Sequence, residues 1–396
     1  MNRLLLFILT IYFPLISIAQ TKDKFSDIVS EIEANNLVVS VSKQSINSEK
    51  ADLSTINNLS DPEIEFSHQW GQKGIGNMWG VGISQSFEWP GVYQSRKNRI
   101  SNEKLALEQI HRETIRNIRF QIRCSLIDIA FYKQLISLTQ SQMNRIDSLY
   151  SLYLKGVSLG EISKLDINKL KIERISASRQ LNEAENAFKE CVTKIVELNG
   201  GKDCSDIVSN ISEFPNDELL SIDYYKSKSL LDDPTTAYRS YLSDAIKYQE
   251  QELKRSNIPG FSVGYNHDYE LGEHFNGVSI GLTLPLFSNR HKAATIEQRK
   301  LLLESEQIEA ENSLKSTIET AYDQVLNLDR EIGQYNSVLM DSDNVRLLDI
   351  ALNSGHITLI EYLLEINFFI DAHKQLLEIN RQRAVNMCKL TQWIDR

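Results

Sequence analysis

Residues 277–287 read GVSIGLTLPLF, an alternation of small and apolar residues that runs into a proline. In residues 277–284, each Gly, Ser or Thr is followed by a Val, Ile or Leu. A period of two places the two sets on opposite faces of a β-strand. The segment therefore predicts a strand with one apolar face and one face of small or polar side chains.

Three other segments show this alternation, and the four pair off at one spacing. GVGIS at 80–84 precedes GVSIG at 277–281 by 197 positions, and PEIEF at 62–66 precedes PGFSV at 259–263 by the same distance. A soluble sandwich would bury the apolar face, whereas a membrane barrel would turn it to lipid. The strands alone leave both open. Because the smallest membrane barrels have about eight strands, four strands would have to be shared between several chains.

The same spacing extends to the helical parts, so the chain is predicted to contain two copies of one architecture. Asn36 and Asp233, each followed by a helix-compatible stretch, are also 197 positions apart. GEISKLD at 160–166 precedes GHITLIE at 355–361 by 195 positions. The expected parts are a first repeat at 20–214 and a second at 215–396, with strand hairpins at about 62–88 and 259–287 and helical hairpins at about 92–200 and 291–394.

Very long helices are predicted after each strand hairpin. The segment from Tyr93 to Leu154 has neither Pro nor Gly, which permits roughly 60 helical residues. Apolar residues recur every seven positions, the pattern of a coiled-coil seam. The seam residues are Ile115, Ile122, Ile129, Ile136, Met143 and Tyr150, followed by Ile318, Val325, Ile332 and Leu339 in the second half. A plain coiled-coil stalk would explain the heptads but would give the strand hairpins no purpose.

The first twenty residues differ in composition from the rest of the chain. Arg3 precedes an apolar run at 4–13, and a Ser-Ile-Ala sequence ends the segment at 17–19. This is the layout of a secretory signal peptide, and the run is shorter than the roughly 20 residues of a membrane-spanning helix. We expect residues 1–19 to be a signal peptide of an exported protein. No Cys lies near the cleavage point, so we expect no N-terminal lipid anchor.

Charge and motif content exclude several functional classes. With 43 Lys and Arg against 53 Asp and Glu, the net charge is −10, which does not favour nucleic acid as a partner. No segment matches a catalytic or phosphate-binding motif, so we expect no enzyme, no catalytic residues and no cofactor. Four scattered Cys predict no zinc site, and Cys191 and Cys204 are compatible with a disulfide or with two thiols.

One group of histidines and acids is a candidate metal site. These residues, predicted to surround an external loop, are His267, Asp268, Glu270, Glu273 and His274. Two imidazoles and three carboxylates have the chemistry to bind a metal. A solvated loop explains them equally well, and we expect no metal site.

A signal peptide followed by two copies of a strand hairpin and a long helical hairpin resembles the TolC family of outer-membrane efflux proteins. The resemblance covers roughly residues 25–396 and is most specific at 160–166, at 355–361 and at LTLPLFS, 282–288. It implies a mainly α fold with a small β part. Four strands per chain would enter one twelve-stranded barrel of a homotrimer, continuous with a helical tunnel across the periplasm. The compact chain looks more like the cation and heavy-metal efflux branch than the secretion branch.

In that family, the tips of the helical hairpins form the periplasmic entrance. They dock a periplasmic adaptor (membrane fusion protein), which is joined to an inner-membrane pump. The positions that the resemblance assigns to this role are Gly160, Glu161, Ile162, Ser163, Leu165, Asp166, Gly355, Ile357, Thr358, Ile360 and Glu361.

The tip residues also have a plain structural explanation. Gly permits a tight turn, Ser163 and Thr358 suit helix N-caps, and Asp166 and Glu361 stand at the N3 position of the capping box. Capped turns would therefore explain the motif without a partner. A docking role would add the isoleucine two residues after each glycine as an apolar anchor, and the acids would favour cations at the entrance.

The sequence thus predicts a passive outer-membrane duct with a long periplasmic portion, which conveys solutes from an adaptor and pump to the exterior. The alternative is an exported coiled-coil scaffold or adhesin that transports nothing. The strands discriminate between them, because a scaffold has no need for hairpins with an apolar outer band. A periplasmic enzyme would require a catalytic constellation that the sequence lacks.

Overall fold

The computed structural model describes residues 24–72, 74, 76–159, 163–339 and 344–394. The predicted signal peptide and three of the predicted tip residues, Gly160, Glu161 and Ile162, lie outside the described residues.

The described chain is mainly helical, with four strands in two hairpins. The elements of the first half are α1 Lys24–Asn35, α2 Leu37–Thr55, β1 Glu63–Trp70, β2 Asn77–Phe87, α3 Pro90–Leu159 and α4 Lys164–Leu198. Those of the second half are α5 Ser205–Asn210, α6 Ile222–Asp232, α7 Pro234–Arg255, β3 Gly260–Glu270, β4 Glu273–Thr283, α8 Lys292–Leu339, α9 Asn344–Asn353 and α10 Leu359–Thr391. The mainly α fold with a small β part is confirmed.

Helix α3 is longer than the sequence predicts. It has 70 residues, which gives a length of about 105 Å. The helix begins at Pro90, where the first turn tolerates proline because its missing N–H has no intrahelical partner. It also continues through Gly156, although a helix-interior glycine costs about 1 kcal/mol. Gly156 is buried, so close packing accompanies it.

The predicted coiled-coil seams contribute much of the core. Helix α3 packs against α4 and α7, and α10 packs against α8 and α3. The seam residues Ile122, Ile129 and Val325 are fully buried. A first core cluster also takes side chains from α1, α4 and α5, and a second joins α6, α8 and α10. Cys191 packs at the edge of the first cluster and Cys204 lies within it, without a disulfide between them.

Two buried caps, 197 positions apart, open α2 and α7, the helical stretches predicted to follow Asn36 and Asp233. Asn36 accepts hydrogen bonds from two backbone N–H groups at the start of α2 and donates one to the carbonyl of Leu198 at 2.7 Å. Asp233 accepts from the N–H of Thr236. It also pairs with Arg116 of α3 at 2.6 Å and accepts from the indole of Trp393 at 3.2 Å. Each cap thus ties a short helix to a distant part of the chain.

We expect Asp233→Ala to lower the free energy of unfolding by about 3 kcal/mol, because it removes a cap and leaves Arg116 with one acidic partner fewer in a buried setting. Thermal unfolding of the detergent-solubilised protein measures this. Asp52→Ala, at an exposed carboxylate near the end of α2, is the control and should change stability by less than about 0.5 kcal/mol. Equal melting curves would contradict the assignment.

The four strands form one antiparallel sheet in the order β1-β2-β3-β4. The pairing of β2 with β3, for example Gly80 with Asp268, joins the hairpins of the two halves. The second hairpin turns at Leu271 and Gly272, both with positive φ, as two-residue turns with the twist of a hairpin require. The turn is therefore shorter than the external loop that the sequence predicts, and β4 begins at Glu273.

Candidate functional site

One face of the sheet is apolar and exposed. On the two outer strands, Ile64 is 76% and Ile280 is 78% exposed. The other exposed apolar side chains of this face are Phe66, Trp70, Val81, Ile83, Val263, Tyr265, Val278 and Leu282. A soluble fold would cover such a surface, because contiguous apolar patches of this extent mark interaction sites.

Aromatic residues border this apolar face at both ends. At the turn end, Trp79 and Tyr269 stack at 5.8 Å, and Tyr269 contacts His274 at 4.9 Å. At the helix end, Phe87 stacks on Phe261 at 5.3 Å. The strand between Trp79 and Phe87 spans about 26 Å, or about 20 Å along a barrel axis tilted by 40°. That height and its aromatic borders are typical of a transmembrane β-barrel.

Apart from Met78 and Phe275 near the turns, the opposite face is small, polar and acidic. Several of its glycines lie beneath polar side chains of the next strand: Gly80 lies beneath Asp268 and Gly281 beneath Ser262, where a Cβ would collide with the side-chain oxygen. The strands contain no Lys or Arg. Their acids all share this face: Glu63, Glu65, Asp268, Glu270 and Glu273. A surface of this kind attracts cations and repels anions.

The histidines and acids of the candidate metal site do not lie on one face of the sheet. They lie in the paired ends of β3 and β4 rather than in a loop. Because side chains alternate between faces, His267 and His274 lie on the apolar face, with their rings 5.2 Å apart. Asp268, Glu270 and Glu273 lie on the acidic face. Among the described residues, no cluster of three or more His, Cys, Asp or Glu is arranged to hold a metal.

At the far end of the helices, both predicted N-caps are present. Ser163 accepts a hydrogen bond from the N–H of Leu165 at 3.1 Å, and Thr358 forms a complete capping box with Glu361. The hydrogen bonds that the N–H and hydroxyl of Thr358 donate lower the pKa of Glu361. The stability that these hydrogen bonds give to the folded protein is present at neutral pH, and it is lost as pH falls through the lowered pKa of Glu361. Asp166 instead lies 4.0 Å from Lys169.

The predicted tip residues differ in exposure. Gly355 has a φ of 73°, the left-handed conformation that favours glycine. Ile357 packs against a cluster formed by α3, α4, α9 and α10. Leu165 and Ile360 are more exposed, at 70% and 43%. Among the predicted tip residues that the structure describes, Leu165 and Ile360 therefore expose the most apolar surface.

The sequence analysis missed a polar cluster that joins three helices near the tips. Arg145 of α3 donates to both carboxylate oxygens of Asp349 of α9 at 2.8 Å, and Tyr362 of α10 donates to Asp349 at 2.7 Å. Burial raises the pKa of Tyr362 to about 12, so its hydroxyl stays protonated at neutral pH. More than 200 residues separate Arg145 from its partners, and no local sequence signal connects them.

Comparison with known proteins establishes the fold. No protein-family model matches the chain, and no curated protein matches its sequence. Among solved structures, a membrane protein from Pseudomonas aeruginosa aligns with a TM-score of 0.79 at 14% identity, over 94% of this chain and 90% of that one. The outer membrane protein VceC of Vibrio cholerae aligns with a TM-score of 0.75 at 12% identity, over 94% and 96%.

The outer membrane channel CmeC of Campylobacter jejuni is also similar, with a TM-score of 0.72 at 14% identity over 94% of this chain and 85% of that one. No helix in the described ranges is long and apolar enough to cross a bilayer. The alignments cover the strands and the long helices together. The chain therefore has the TolC-like fold that its duplicated sequence predicts.

Proposed function

We propose that the protein is the outer-membrane channel of a tripartite efflux system, a passive duct of the TolC family. One observation carries this proposal: the sheet exposes its apolar face while its two outer edges have no partner strand in the described part of the chain. A membrane satisfies the apolar face, but lipid does not tolerate an open sheet edge. Further copies of the same chain supply the missing strands.

Three chains would bring twelve strands to one barrel, with β4 of each protomer pairing with β1 of the next. Four strands are too few, since the smallest membrane barrels have about eight. Three is also the stoichiometry that the resemblance to the TolC family implies. In such a barrel, the acidic face of the sheet lines the lumen and the apolar face meets lipid.

The helices support the same assembly. Ile172 and Ile175 of α4 are 68% and 70% exposed, and Leu364 and Phe368 of α10 are 68% and 69% exposed. Each pair is spaced to lie on one helix face. Stripes of this kind are the seams of helix–helix packing. Neighbouring protomers that place their helices side by side would cover both stripes and close a tunnel.

The mechanism requires no catalysis. A solute passes along the lumen, and the energy comes from an inner-membrane pump joined through a periplasmic adaptor. We assign adaptor docking to the tips, where Leu165 and Ile360 offer apolar contacts and the capped turns fix their positions. The acidic lumen favours cationic solutes, in line with the cation-efflux branch that the sequence resembles. The predicted signal peptide supports export to the outer membrane.

The oligomeric mass of the detergent-extracted protein, corrected for bound detergent, tests the proposal together with conductance in planar bilayers. A trimer that requires detergent and conducts ions is the expected result. A monomer that stays soluble without detergent would overturn the duct and favour the exported scaffold or adhesin, because four strands do not form a barrel alone.

The cluster of Arg145, Asp349 and Tyr362 provides a point at which the tips can be loosened. We expect Asp349→Asn to raise the resting conductance severalfold, since it weakens the charge-assisted hydrogen bonds that hold α9 against α3, each worth about 1 kcal/mol in this partly exposed setting. Single-channel recording at neutral pH measures the effect.

Asp371→Asn is the matched control for Asp349→Asn. Asp371 also lies near the tips and pairs with Lys374 at 3.4 Å, but its side chain is 66% exposed. Exposed pairs contribute about 0–1 kcal/mol, so the resting conductance should stay unchanged. Equal conductance of the two variants and the wild type would contradict a role of the cluster in keeping the tips closed.

A further inference from the structure

A cleft opens where the sheet meets the helices. It has a volume of about 940 Å³ and is lined by the strand ends and by α3, α7 and the start of α8. One part of its wall is apolar and exposed, formed by Trp89, Leu284, Leu286 and Phe287. These residues follow directly on β2 and β4, at the end of the sheet that borders the helices. Ser86, Gly260 and Thr283 of the opposite face also line the cleft.

The base of the cleft holds an ionic network in which arginines pair with carboxylates. Arg96 makes two hydrogen bonds to Glu88, at 2.6 and 3.0 Å, and a third to Glu252 at 2.8 Å. The Glu88 carboxylate raises the pKa of Arg96 above its ordinary value. Arg99 pairs with Glu252 and Glu103, both at 2.9 Å. These two arginines are therefore neutralised within the protein and fix the shape of the base.

Three further cations of the cleft lack such neutralisation. Arg290, Lys292 and Arg299 line it and are exposed. In the ranges that the structure describes, none of the three forms an ion pair with a carboxylate. Lys292 and Arg299 are seven residues apart on α8, which places them on one helix face, about 10 Å apart along the axis. The mouth of the cleft is thus cationic next to an apolar wall.

We propose that this cleft binds an anionic phospholipid of the periplasmic leaflet, with the headgroup phosphate at Arg290, Lys292 and Arg299 and an acyl chain against Leu286 and Phe287. The inference rests on the proposed function, since it requires the sheet to lie in a bilayer. The order along the strands supports it: the Phe87–Phe261 stack ends the apolar band, the exposed apolar wall follows, and the cations come next. Basic residues immediately beyond an apolar span recognise anionic headgroups.

The test measures equilibrium binding of fluorescent phosphatidylglycerol to the detergent-solubilised full chain, with phosphatidylcholine as the zwitterionic arm and inorganic phosphate as a competitor. The variant is R290Q/K292Q/R299Q. Its control is K171Q/K189Q/K194Q, which removes three exposed cations from α4. Oligomeric mass and conductance are recorded on the same preparations, so that failure of the duct and failure of the lipid site are distinguished.

The wild type and the control should bind phosphatidylglycerol at least tenfold more tightly than phosphatidylcholine. The cleft variant should lose most of this preference, because each Lys or Arg close to anionic headgroups contributes about fivefold in affinity. Equal loss in both variants, or displacement of the lipid by millimolar inorganic phosphate, would overturn the site while a conducting trimer upheld the duct. A soluble monomer would overturn both.

Discussion

Neutralising three acids of the sheet should abolish the ion selectivity of the channel. Wild-type protein in a bilayer is expected to pass K⁺ over Cl⁻ by about tenfold or more, because a lumen lined by one sign of charge concentrates counter-ions. The triple variant E63Q/E65Q/D268N should fall to a ratio near about 1–3. Reversal potentials in a KCl gradient measure the ratio.

The substitutions are close in shape, so the sheet should be preserved. Asp268→Asn in particular keeps the side chain that lies over Gly80. The control E108Q/D244N/E319Q removes carboxylates that are already paired with lysines outside the sheet. A triple sheet variant as cation-selective as this control would show that the acidic face does not line the lumen.

Arginine at Val278 should prevent assembly, whereas arginine at the adjacent Ser279 should not. Val278 is 75% exposed and lies midway between the aromatic borders of the apolar face. A lipid-facing arginine at the bilayer midplane costs about 2–4 kcal/mol per chain, and a trimer would carry three. Membrane fractionation followed by oligomer analysis should find Val278→Arg depleted from the trimer.

Ser279→Arg introduces the same charge one residue away, on the face that we place in the lumen. Its trimer should form and insert, with conductance reduced by the bulk of the side chain. If Ser279→Arg were the variant that failed and Val278→Arg assembled normally, the two faces would be assigned the wrong way round. If both assembled equally, the sheet would not lie in lipid.

Local sequence was sufficient to predict the strands, the helix caps and part of the coiled-coil seams. Alternation identified all four strands, because a period of two is readable within nine residues. Ser163 and Thr358 were predicted as caps because a cap depends on neighbours three positions away, and helix starts were predicted at Asn36 and Asp233. The heptads predicted the burial of Ile122 and Ile129 in α3, whereas the other seam residues of that helix are partly buried. These features depend on contacts within one or two turns of the chain.

Features that depend on long-range packing were missed or misplaced. Gly156 predicted the end of a helix, but packing carries α3 past it to Leu159. The histidines and acids at 267–274 were expected to surround an external loop, but that loop is only the two-residue turn at Leu271 and Gly272, and β4 begins at Glu273. The Arg145–Asp349 pair and the cationic cleft bring together residues from separate elements, which only the tertiary structure shows.

The two unpaired edges of the sheet have a consequence for how the channel is made. If β4 of each chain pairs with β1 of the next, the last hydrogen bonds of the barrel form between molecules. Insertion then depends on protomer concentration, and a lone chain at the membrane has no stable inserted state. Slow synthesis should therefore yield disproportionately few channels. A truncated copy that retains β1 but lacks β4 should inhibit the assembly of intact chains, because it pairs with one neighbour and leaves the barrel open.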